Sequence, residues 1–415
     1  MKKRGTNLSE IIERHKLHIG KTPNDKFAYI THQIQKENNW SASFIREAAR
    51  LGEKNDKGNL LEEPAVGLQL EVFPVKYDNV PFPPLEIGKE KFTFIDLFAG
   101  IGGFRLAMQE LGGRCVFSSE WDVNSQKTYF ANFGEIPFGD ITKESNKQQI
   151  PQGFDVLCAG FPCQAFSIAG KRAGFNETRG TLFFDVADII NRWRPKAFFL
   201  ENVKGLVNHD KGNTLKVILK TLREDLGYYV PDPKIVNAKD FGVPQNRERI
   251  FIVGFRPDLG ISKFEYPKPT GEKVSFSQVK EKEVVPTKFY LSTQYLKTLY
   301  AHKKRHEDKG NGFGYEIIKD DGIANAIVVG GMGRERNLVY DHRITDFTPT
   351  THIKGVVNRE GIRKMTPKEW AGLQGFPQDK YLIQVADASA YKQFGNSVAV
   401  PAIKATAKLI RDKII

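Results

Sequence analysis

Hydrophobic positions between residues 92 and 255 fall into short runs that are separated by longer amphipathic segments. The apolar runs are Phe92–Phe98, Arg114–Ser119, Phe154–Ala159, Ala197–Leu200 and Arg249–Phe255. Short apolar runs predict buried strands, and the amphipathic segments between them predict helices. Strands that alternate with helices indicate a doubly wound, mostly parallel sheet of the α/β class, in which ligands bind at the carboxyl ends of the strands.

The pattern changes on both sides of this region. Residues 1–88 are polar and helix-prone, with a capped helix predicted from Ser41 or Ser43 to Gly52 and a proline-rich linker at Pro81–Pro84. Residues 256–360 lose the alternation, which predicts a smaller, irregular domain with long loops, and a helical period returns after Pro401. We therefore predict an N-terminal helical extension (1–88), a sheet domain (89–255), the irregular domain (256–360) and a return to the sheet domain (361–415).

Composition narrows the choice of partner and compartment. Lys and Arg number 62 against 49 Asp and Glu, and the net charge of +13 favours a polyanionic partner because phosphate neutralisation releases counterions. The three cysteines have no paired spacing, which argues against a disulfide framework or a zinc knuckle and favours a reducing compartment. No apolar run reaches the roughly 18 residues that span a bilayer. We predict a cytoplasmic protein that binds neither a membrane nor a metal ion.

A thiol follows the third apolar run, at the point where the chain leaves the predicted sheet. Gly160 and Pro162 impose an irregular backbone on the octet Gly160–Ser167, and Cys163 lies within it. Cys163 is therefore the candidate nucleophile. Cys158 lies inside the apolar run, where a cysteine packs as a small buried hydrophobe.

The first strand runs into a glycine turn, Gly100–Gly103, and then into a helix, which lets backbone approach a ligand beside the helix N-terminus. About 20 residues after Gly100, Glu120 can accept from ribose hydroxyls and Trp121 can stack on adenine. The spacing G-x-G-G differs from the dinucleotide pattern, so an adenosine cofactor without a pyrophosphate is predicted. Asp140 either accepts from the adenine amino group or caps a helix N-terminus.

Eight ordered motifs make residues 92–415 resemble the cytosine-C5 DNA methyltransferase family. They are Phe94–Arg105, Ser119–Trp121, Gly160–Ser167, Gly180–Phe184, Glu201–Val203, Gln245–Arg249, Leu373–Pro377 and Gly395–Pro401. The resemblance implies an S-adenosylmethionine-dependent methyltransferase fold, S-adenosyl-L-methionine as cofactor, double-stranded DNA as partner, and target recognition by residues 256–360. It also implies a monomer of restriction-modification type that pairs functionally with an endonuclease without a stable complex. Lys309–Tyr315 and the context of Trp40 resemble the subgroup that modifies CC-x-GG-type sites.

The chemistry of this family explains the residue types. Carbon 5 of cytosine becomes reactive toward a methyl donor only after a nucleophile adds to carbon 6, a role suited to the thiolate of Cys163. Electron density then accumulates at N3, and Glu201, whose pKa burial should raise, can donate there; a solvated strand-end glutamate is the alternative. The resemblance favours Arg249 for the cytosine O2. Arg247 then supports the catalytic loop or Cys163, or is a surface charge.

The resemblance also assigns the binding residues. Those predicted for the cofactor are Phe98, Gly100, Gly102, Gly103, Glu120, Trp121, Asp140, Ile141, Pro162, Leu182, Asn396 and Ser397. Because a base inside a duplex is inaccessible from both faces, the target cytosine is predicted to flip into the protein. Residues predicted to contact DNA are Gln164, Ser167, Lys171, Arg172, Arg334 and Arg336.

Two other functions remain open from the sequence. A related protein could methylate tRNA, although the long basic recognition region favours DNA. Alternatively, residues 1–88 could form a DNA-binding regulatory module, or they could be a helical support that packs on the sheet domain, which we favour.

Overall fold

The computed structural model describes residues 28–29, 31–32, 80–162, 182–310, 314–330, 334–350 and 355–415. The chain divides into two compact units. Of the described residues, the first unit comprises those up to Ile235 together with 249–267 and 406–415, and the second comprises those within 236–248 and 268–405. In the part of the chain that the structure describes, every helix is too short or too polar to cross a bilayer. The predicted capped helix at Ser41–Gly52 lies outside the described residues, and the four predicted segments remain a prediction.

A six-stranded sheet forms the centre of the first unit. The strands up to residue 255 are β1 (Phe92–Leu97), β2 (Gly113–Ser119), β3 (Val156–Gly160), β4 (Ala197–Val203), β5 (Lys234–Asn237), the short β6 (Gln245–Asn246) of the second unit, and β7 (Glu248–Phe255). The order in the sheet is β2-β1-β3-β4-β7-β5, with parallel pairing from β2 to β4 and antiparallel pairing of β4 with β7. The prediction of an α/β, mostly parallel, doubly wound sheet is confirmed.

The helices between these strands have the expected amphipathic pattern and end signals. They are α1 (Gly103–Glu110), α2 (Val123–Phe133), α3 (Glu144–Lys147), α4 (Leu182–Trp193) and α5 (Asn213–Lys220). In α4 the buried positions Phe183, Val186 and Ile190 recur at helical spacing, so one face packs on the sheet. The Asp122 side chain caps α2 by accepting from the Ser125 amide, and Gly134 ends that helix with a φ of 68°.

All five predicted strands are present, and two of their ends differ in ways that matter for the site. β1 stops at Leu97 because Phe98 takes a left-handed φ of 55°. β4 continues to Val203, so Glu201 and Asn202 lie inside the strand and not after it. The predicted strand end at Leu200 was wrong because the sequence shows a polar residue at 201, whereas the pairing with β7 continues to Val203.

Within its described residues, the second unit has little regular sheet. Its remaining strands are β8 (Glu316–Ile318), β9 (Ala324–Asn325), β10 (Asn337–Tyr340) and β11 (Ile362–Lys364). β10 pairs parallel with β8 and antiparallel with β11, and β6 pairs with β9. The helices that follow α5 are α6 (Thr293–Glu307), α7 (Pro367–Leu373), α8 (Asp387–Asn396) and α9 (Val400–Ile414), which ends in the first unit.

A buried charge network fixes α7 in the second unit. Arg363 of β11 donates from Nη1 and Nη2 to the two carboxylate oxygens of Glu369, both at 2.8 Å, and its Nε lies 3.0 Å from Asp341. Thr366 and Glu369 also form a capping box at the start of α7. Burial raises the pKa of Asp341, but Arg343 and Arg363 outweigh burial and lower that pKa well below its usual range. The paired charges thus hold β11 and α7 together.

Candidate functional site

The glycine turn after β1 has the backbone geometry of a ligand cradle. Phe98 and Gly100 both have a φ of 55°, Gly102 has a φ of 85°, and α1 begins at Gly103. A Cβ at Gly102 would lie 2.2 Å from the ring of Phe133, so both space and backbone require glycine there. The turn therefore places main-chain atoms at the carboxyl ends of the strands, and its glycines leave that backbone uncovered by side chains.

Glu120 holds this turn from the end of β2. Its Oε2 accepts from the Gly100 amide at 2.8 Å, and its Oε1 accepts from the Asp122 amide at 2.7 Å. Burial raises the pKa of Glu120 more than these hydrogen bonds lower it. Each carboxylate oxygen can accept a further hydrogen bond, so a ribose hydroxyl is compatible with the existing contacts. Trp121 follows with 76% of its surface exposed, which leaves the indole accessible for stacking.

Asp140 and Ile141 lie next to the end of β2. The Ser119 hydroxyl donates to the Gly139 carbonyl at 2.6 Å, which ties this segment to the strand. Asp140 Oδ1 accepts from the amide and the hydroxyl of Thr142, at 3.0 and 2.8 Å. The alternative that Asp140 caps a helix was wrong, because its side chain closes a turn and Lys143 precedes α3. Ile141 is buried.

Asp96, in β1 directly before this turn, is a buried carboxyl group. Its register neighbours are Ser118 and Cys158, and neither carboxylate oxygen has a hydrogen-bond partner within the described residues. Burial raises its pKa to about 8, although the charge of Arg105 acts in the opposite direction. Asp96 is therefore protonated in the folded protein at neutral pH, whereas an unfolded chain ionises it near pH 4.

Replacing Asp96 by asparagine is expected to remove a pH-dependent loss of stability. Between pH 5 and 7 the folded protein binds a proton that the unfolded chain has released, so the free energy of unfolding falls as pH rises. Relative to the parent, Asp96→Asn should gain about 1.4 kcal/mol per pH unit in urea unfolding across that range. The exposed Asp225→Asn is the control, and a difference between Asp96→Asn and parent that stays constant with pH would contradict the assignment.

The ends of β3 and β4 bring Glu201 next to the segment that carries the candidate nucleophile. Gly160 and Glu201 are register partners in the parallel pair. Asn202 donates from Nδ2 to the Phe161 carbonyl at 2.8 Å, which fixes the chain just before the exposed Pro162. This role of Asn202 was missed by sequence reasoning, although its place directly after Glu201 in a recognised motif was a signal. Leu182, half-buried, begins α4. The predicted residues Cys163, Gln164, Ser167, Lys171 and Arg172 lie outside the described residues.

Glu201 has a charged partner on the neighbouring antiparallel strand. Arg249 is paired in register with Val203, and its Nε lies 3.1 Å from Glu201 Oε1. Both side chains are mostly buried, with 10% of Glu201 and 17% of Arg249 exposed. Burial favours the neutral carboxylic acid, whereas the guanidinium favours the carboxylate. The sequence prediction considered burial alone, so it was incomplete.

Arg247 is a buried side chain that joins separate segments of the second unit, so the surface-charge alternative was wrong. It is 2% exposed. Its Nη1 donates to the Ile327 carbonyl at 2.9 Å, and its Nη2 donates to the carbonyls of Gly395 and Ser397 at 3.0 and 2.7 Å. Arg247 lies between β6 and β7, so it is outside the strand that contains Arg249. The exposed Asn396 ends α8, and Ser397 is half-buried.

Two glutamines join the same segments of the second unit, and sequence reasoning did not identify either of them. Gln245 donates from Nε2 to the Leu373 carbonyl at 2.7 Å and accepts at Oε1 from the Ile327 amide at 3.0 Å. Gln374 donates from Nε2 to the Phe394 carbonyl at 2.8 Å. Both glutamines occur in motifs that were recognised from the sequence, which was the available signal. Three distant motifs therefore meet in one polar cluster.

The two predicted base-reading arginines are exposed in the second unit, just before β10. The guanidinium of Arg334 lies 5.7 Å from the centre of the Tyr391 ring, which orients it. Arg336 is exposed, and its carbonyl accepts from the Glu316 amide at 3.2 Å. Among the described residues, no three His, Cys, Asp or Glu side chains form a group that could hold a metal ion.

Comparisons with known proteins agree with the geometry. Residues 92–412 match the family described as C-5 cytosine-specific DNA methylase. The type II methyltransferase M.HpaII of Haemophilus parainfluenzae is 71% identical over 356 residues, which are 86% of this chain and 97% of the relative. M.HhaI of Haemophilus parahaemolyticus is 40% identical over 327 residues, covering 76% and 94%. The S. pombe Dnmt2 methyltransferase structure has a similar fold, with a TM-score of 0.56, 15% identity and coverage of 77% and 98%.

Proposed function

Since the chain belongs to the C-5 cytosine-specific DNA methylase family and is a DNA (cytosine-5-)-methyltransferase, we propose that it transfers a methyl group from S-adenosyl-L-methionine to carbon 5 of a cytosine flipped out of double-stranded DNA. One observation supports this mechanism most directly. Glu201 is paired in register with Gly160, three residues before Cys163, and contacts Arg249 at 3.1 Å. An acid, a cation and the segment leading to a thiol thus share one edge of the sheet.

The residues around the glycine turn fit an adenosine cofactor. The turn from Phe98 to Gly103 presents backbone that has no room for a side chain at Gly102, Glu120 retains acceptor capacity for ribose hydroxyls, and Trp121 is exposed for stacking. When bound, S-adenosyl-L-methionine supplies an electrophilic methyl group on a sulfonium centre. The other residues proposed to hold it, from the family resemblance, are Asp140, Ile141, Pro162, Leu182, Asn396 and Ser397.

Cys163, Glu201 and Arg249 share the activation of the base. The Cys163 thiolate adds to carbon 6 and breaks the aromatic character of the ring, which makes carbon 5 nucleophilic. Glu201 donates a proton toward N3, and its other oxygen accepts from the 4-amino group. Arg249 donates to the cytosine O2 and holds Glu201. Once carbon 5 carries the methyl group, its proton passes to water, the double bond between carbons 5 and 6 forms again, and the bond from carbon 6 to the Cys163 sulfur breaks. N3 returns its proton to Glu201, which restores the acid and the aromatic ring.

DNA contacts come from two regions in this proposal. Gln164, Ser167, Lys171 and Arg172 follow the nucleophile and contact the flipped nucleotide and phosphates, offsetting a flipping free energy of a few kcal/mol. Arg334 and Arg336 read guanine edges in the major groove. Both arginines are exposed in the unit that has few regular strands, which suits contact with a groove.

Arg247 has a positioning role in this proposal, which gives a test of the second unit. Replacing it by lysine keeps the charge but loses the fork that donates to three carbonyls around Ile327, Gly395 and Ser397. We expect Arg247→Lys to raise the KM for the cofactor about tenfold with a smaller change in kcat. Arg305→Lys, at an exposed position of α6, is the control. A cofactor KM equal to that of the parent would contradict the role.

The biological role that we propose is protection of host DNA from a cognate restriction endonuclease, performed by a monomer that does not form a stable complex with the nuclease. Incubation with radiolabelled cofactor and either duplex DNA or tRNA tests the substrate, and bisulfite sequencing identifies the methylated cytosine. We expect label in DNA at one short sequence. Label in tRNA alone would favour the tRNA alternative and contradict the proposal.

A further inference from the structure

A short N-terminal helical segment packs on the sheet of the first unit, although it lies outside the residues that match the family. We call residues 28–29 and 31–32 the docked segment. Its buried residues are Ala28, Tyr29, Thr31 and His32. The family match begins at residue 92. The His32 ring lies 6.0 Å from the ring of Phe117 and 4.4 Å from the ring of Phe138, measured between ring centres. The docked segment is therefore part of the core of this unit.

Polar contacts fix the docked segment at the outermost strand of the sheet, β2. The Thr31 hydroxyl accepts from the Ile136 amide at 3.0 Å. His32 Nδ1 lies 2.8 Å from the Ala28 carbonyl oxygen, and Nε2 lies 3.1 Å from the Ser118 amide nitrogen. Among the described residues, the outer side of β2 is paired only through the short bridge between Ser119 and Phe138. His32 therefore provides the acceptor that a full neighbouring strand would otherwise supply to the Ser118 amide.

The same imidazole nitrogen lies beside a buried carboxylate. Glu135 Oε1 is 3.3 Å from His32 Nε2 and 3.3 Å from Arg105 Nη1, and it accepts from the Ser118 hydroxyl. Burial raises the pKa of Glu135, but His32, Arg105 and Ser118 outweigh burial and lower it. In the neutral ring Nε2 accepts from the Ser118 amide, and in the protonated ring it donates to Glu135. Either way, His32 joins the docked segment to a fully buried cluster.

This cluster is adjacent to both parts of the proposed adenosine site. Ser118 precedes Ser119 and Glu120, so the amide that His32 binds is two residues from the carboxylate that holds the glycine turn. Arg105 lies in the first turns of α1, directly after that glycine turn. A displacement of β2 at Ser118 would therefore move Glu120 and Trp121 together.

We propose that His32 is a positioning residue for the cofactor half of the enzyme, and that the docked segment is an integral part of the methyltransferase unit. Through the Ser118 amide and Glu135, His32 holds the end of β2 in the position that Glu120 and Trp121 need to bind the cofactor. This inference rests on the proposed function, which assigns Glu120 and Trp121 to adenosine.

Two substitutions in the full chain separate the hydrogen bonds of His32 from its packing. His32→Phe keeps an aromatic ring beside Phe138 but has no polar atom. His32→Gln loses the ring but offers a side-chain amide that can accept from Ser118 and donate to Glu135. His342→Phe, at an exposed position of the second unit, is the matched control. The measurements are calorimetric titration with S-adenosyl-L-methionine, DNA affinity without cofactor, and hydrogen exchange of a peptide that covers residues 113–119.

We expect His32→Phe to raise the cofactor Kd about tenfold and to speed exchange in β2, with DNA affinity unchanged. His32→Gln should recover most of the cofactor affinity. A parent-like Kd in His32→Phe would overturn the inference, and so would equal weakening in both variants, which would indicate ring packing alone. Parallel losses of cofactor and DNA affinity would indicate general unfolding and would also overturn it. A parent that binds no cofactor would overturn the proposed function as well.

Discussion

Glu201→Gln is expected to slow methyl transfer by about 10²- to 10⁴-fold while cofactor and DNA affinities stay close to those of the parent. The glutamine side chain has the same size, and its oxygen can still accept from Arg249 or from the 4-amino group of cytosine. It cannot transfer a proton to N3, so the electron density released by the attack of Cys163 has no acid to neutralise it. The loss should therefore appear in the single-turnover rate and not in binding.

The contact between Glu201 and Arg249 makes this prediction sharper. If the two residues act as a unit, the double variant Glu201→Gln with Arg249→Met should be only slightly slower than the slower single variant. Glu224→Gln, at an exposed position of the same unit, is the matched control. A single-turnover rate of Glu201→Gln near that of the parent would remove Glu201 from the chemistry, and additive losses in the double variant would contradict a shared role.

The local features of this fold could be predicted because they depend on neighbouring residues. A strand that is buried on both faces is apparent in the sequence as a run of apolar residues. The turn after β1 is apparent as a cluster of glycines, because Gly102 has no room for a side chain. Each of these signals is contained within a few consecutive residues. The position of Glu120 at the end of β2 could be anticipated from a different signal, its spacing of about 20 residues from the glycine turn.

Partners of charged residues could not be predicted because they depend on strand order. Arg249 reaches Glu201 because β7 pairs antiparallel with β4, and an alternation of strands and helices gives no indication of that reversal. Arg247, two residues earlier, donates to carbonyls at positions 327, 395 and 397 of the second unit. The sequence places the two arginines in one motif, whereas the structure gives them separate partners.

The docked segment illustrates the same limit more strongly. Residues 28–32 contain no long apolar run, and the segment is held by His32 and Thr31, whose partners Ser118 and Ile136 are 86 and 105 positions away. A polar side chain such as His32, in a region of the chain that is polar as a whole, is expected to be solvated from sequence alone. The need for a hydrogen-bonding side chain at residue 32 becomes apparent in the structure, where the Ser118 amide and the Glu135 carboxylate are buried beside it.

Cys163→Ser is expected to reduce methyl transfer by at least about 10³-fold, because a serine hydroxyl is hardly ionised at neutral pH and cannot replace a thiolate nucleophile. Specific DNA binding and cofactor affinity should remain, since the change is a single atom. Cys158→Ala is the control: Cys158 is buried in β3, and burial raises its pKa well above the usual range, as it raises that of Cys115 to about 12. Substantial residual activity in Cys163→Ser would contradict the covalent mechanism.

Trapping on modified DNA tests the same thiol by its product. With 5-fluorocytosine at the target position, the thiol adds to carbon 6 and the methyl group is transferred, but the fluorine on carbon 5 cannot leave as a proton does. The adduct therefore persists, and peptide mapping should find it on Cys163 in the parent and in Cys158→Ala. The neutral, buried thiols of Cys115 and Cys158 should carry none. An adduct on either of them, or no adduct under conditions that methylate normal DNA, would show that the reactive thiol has been assigned wrongly.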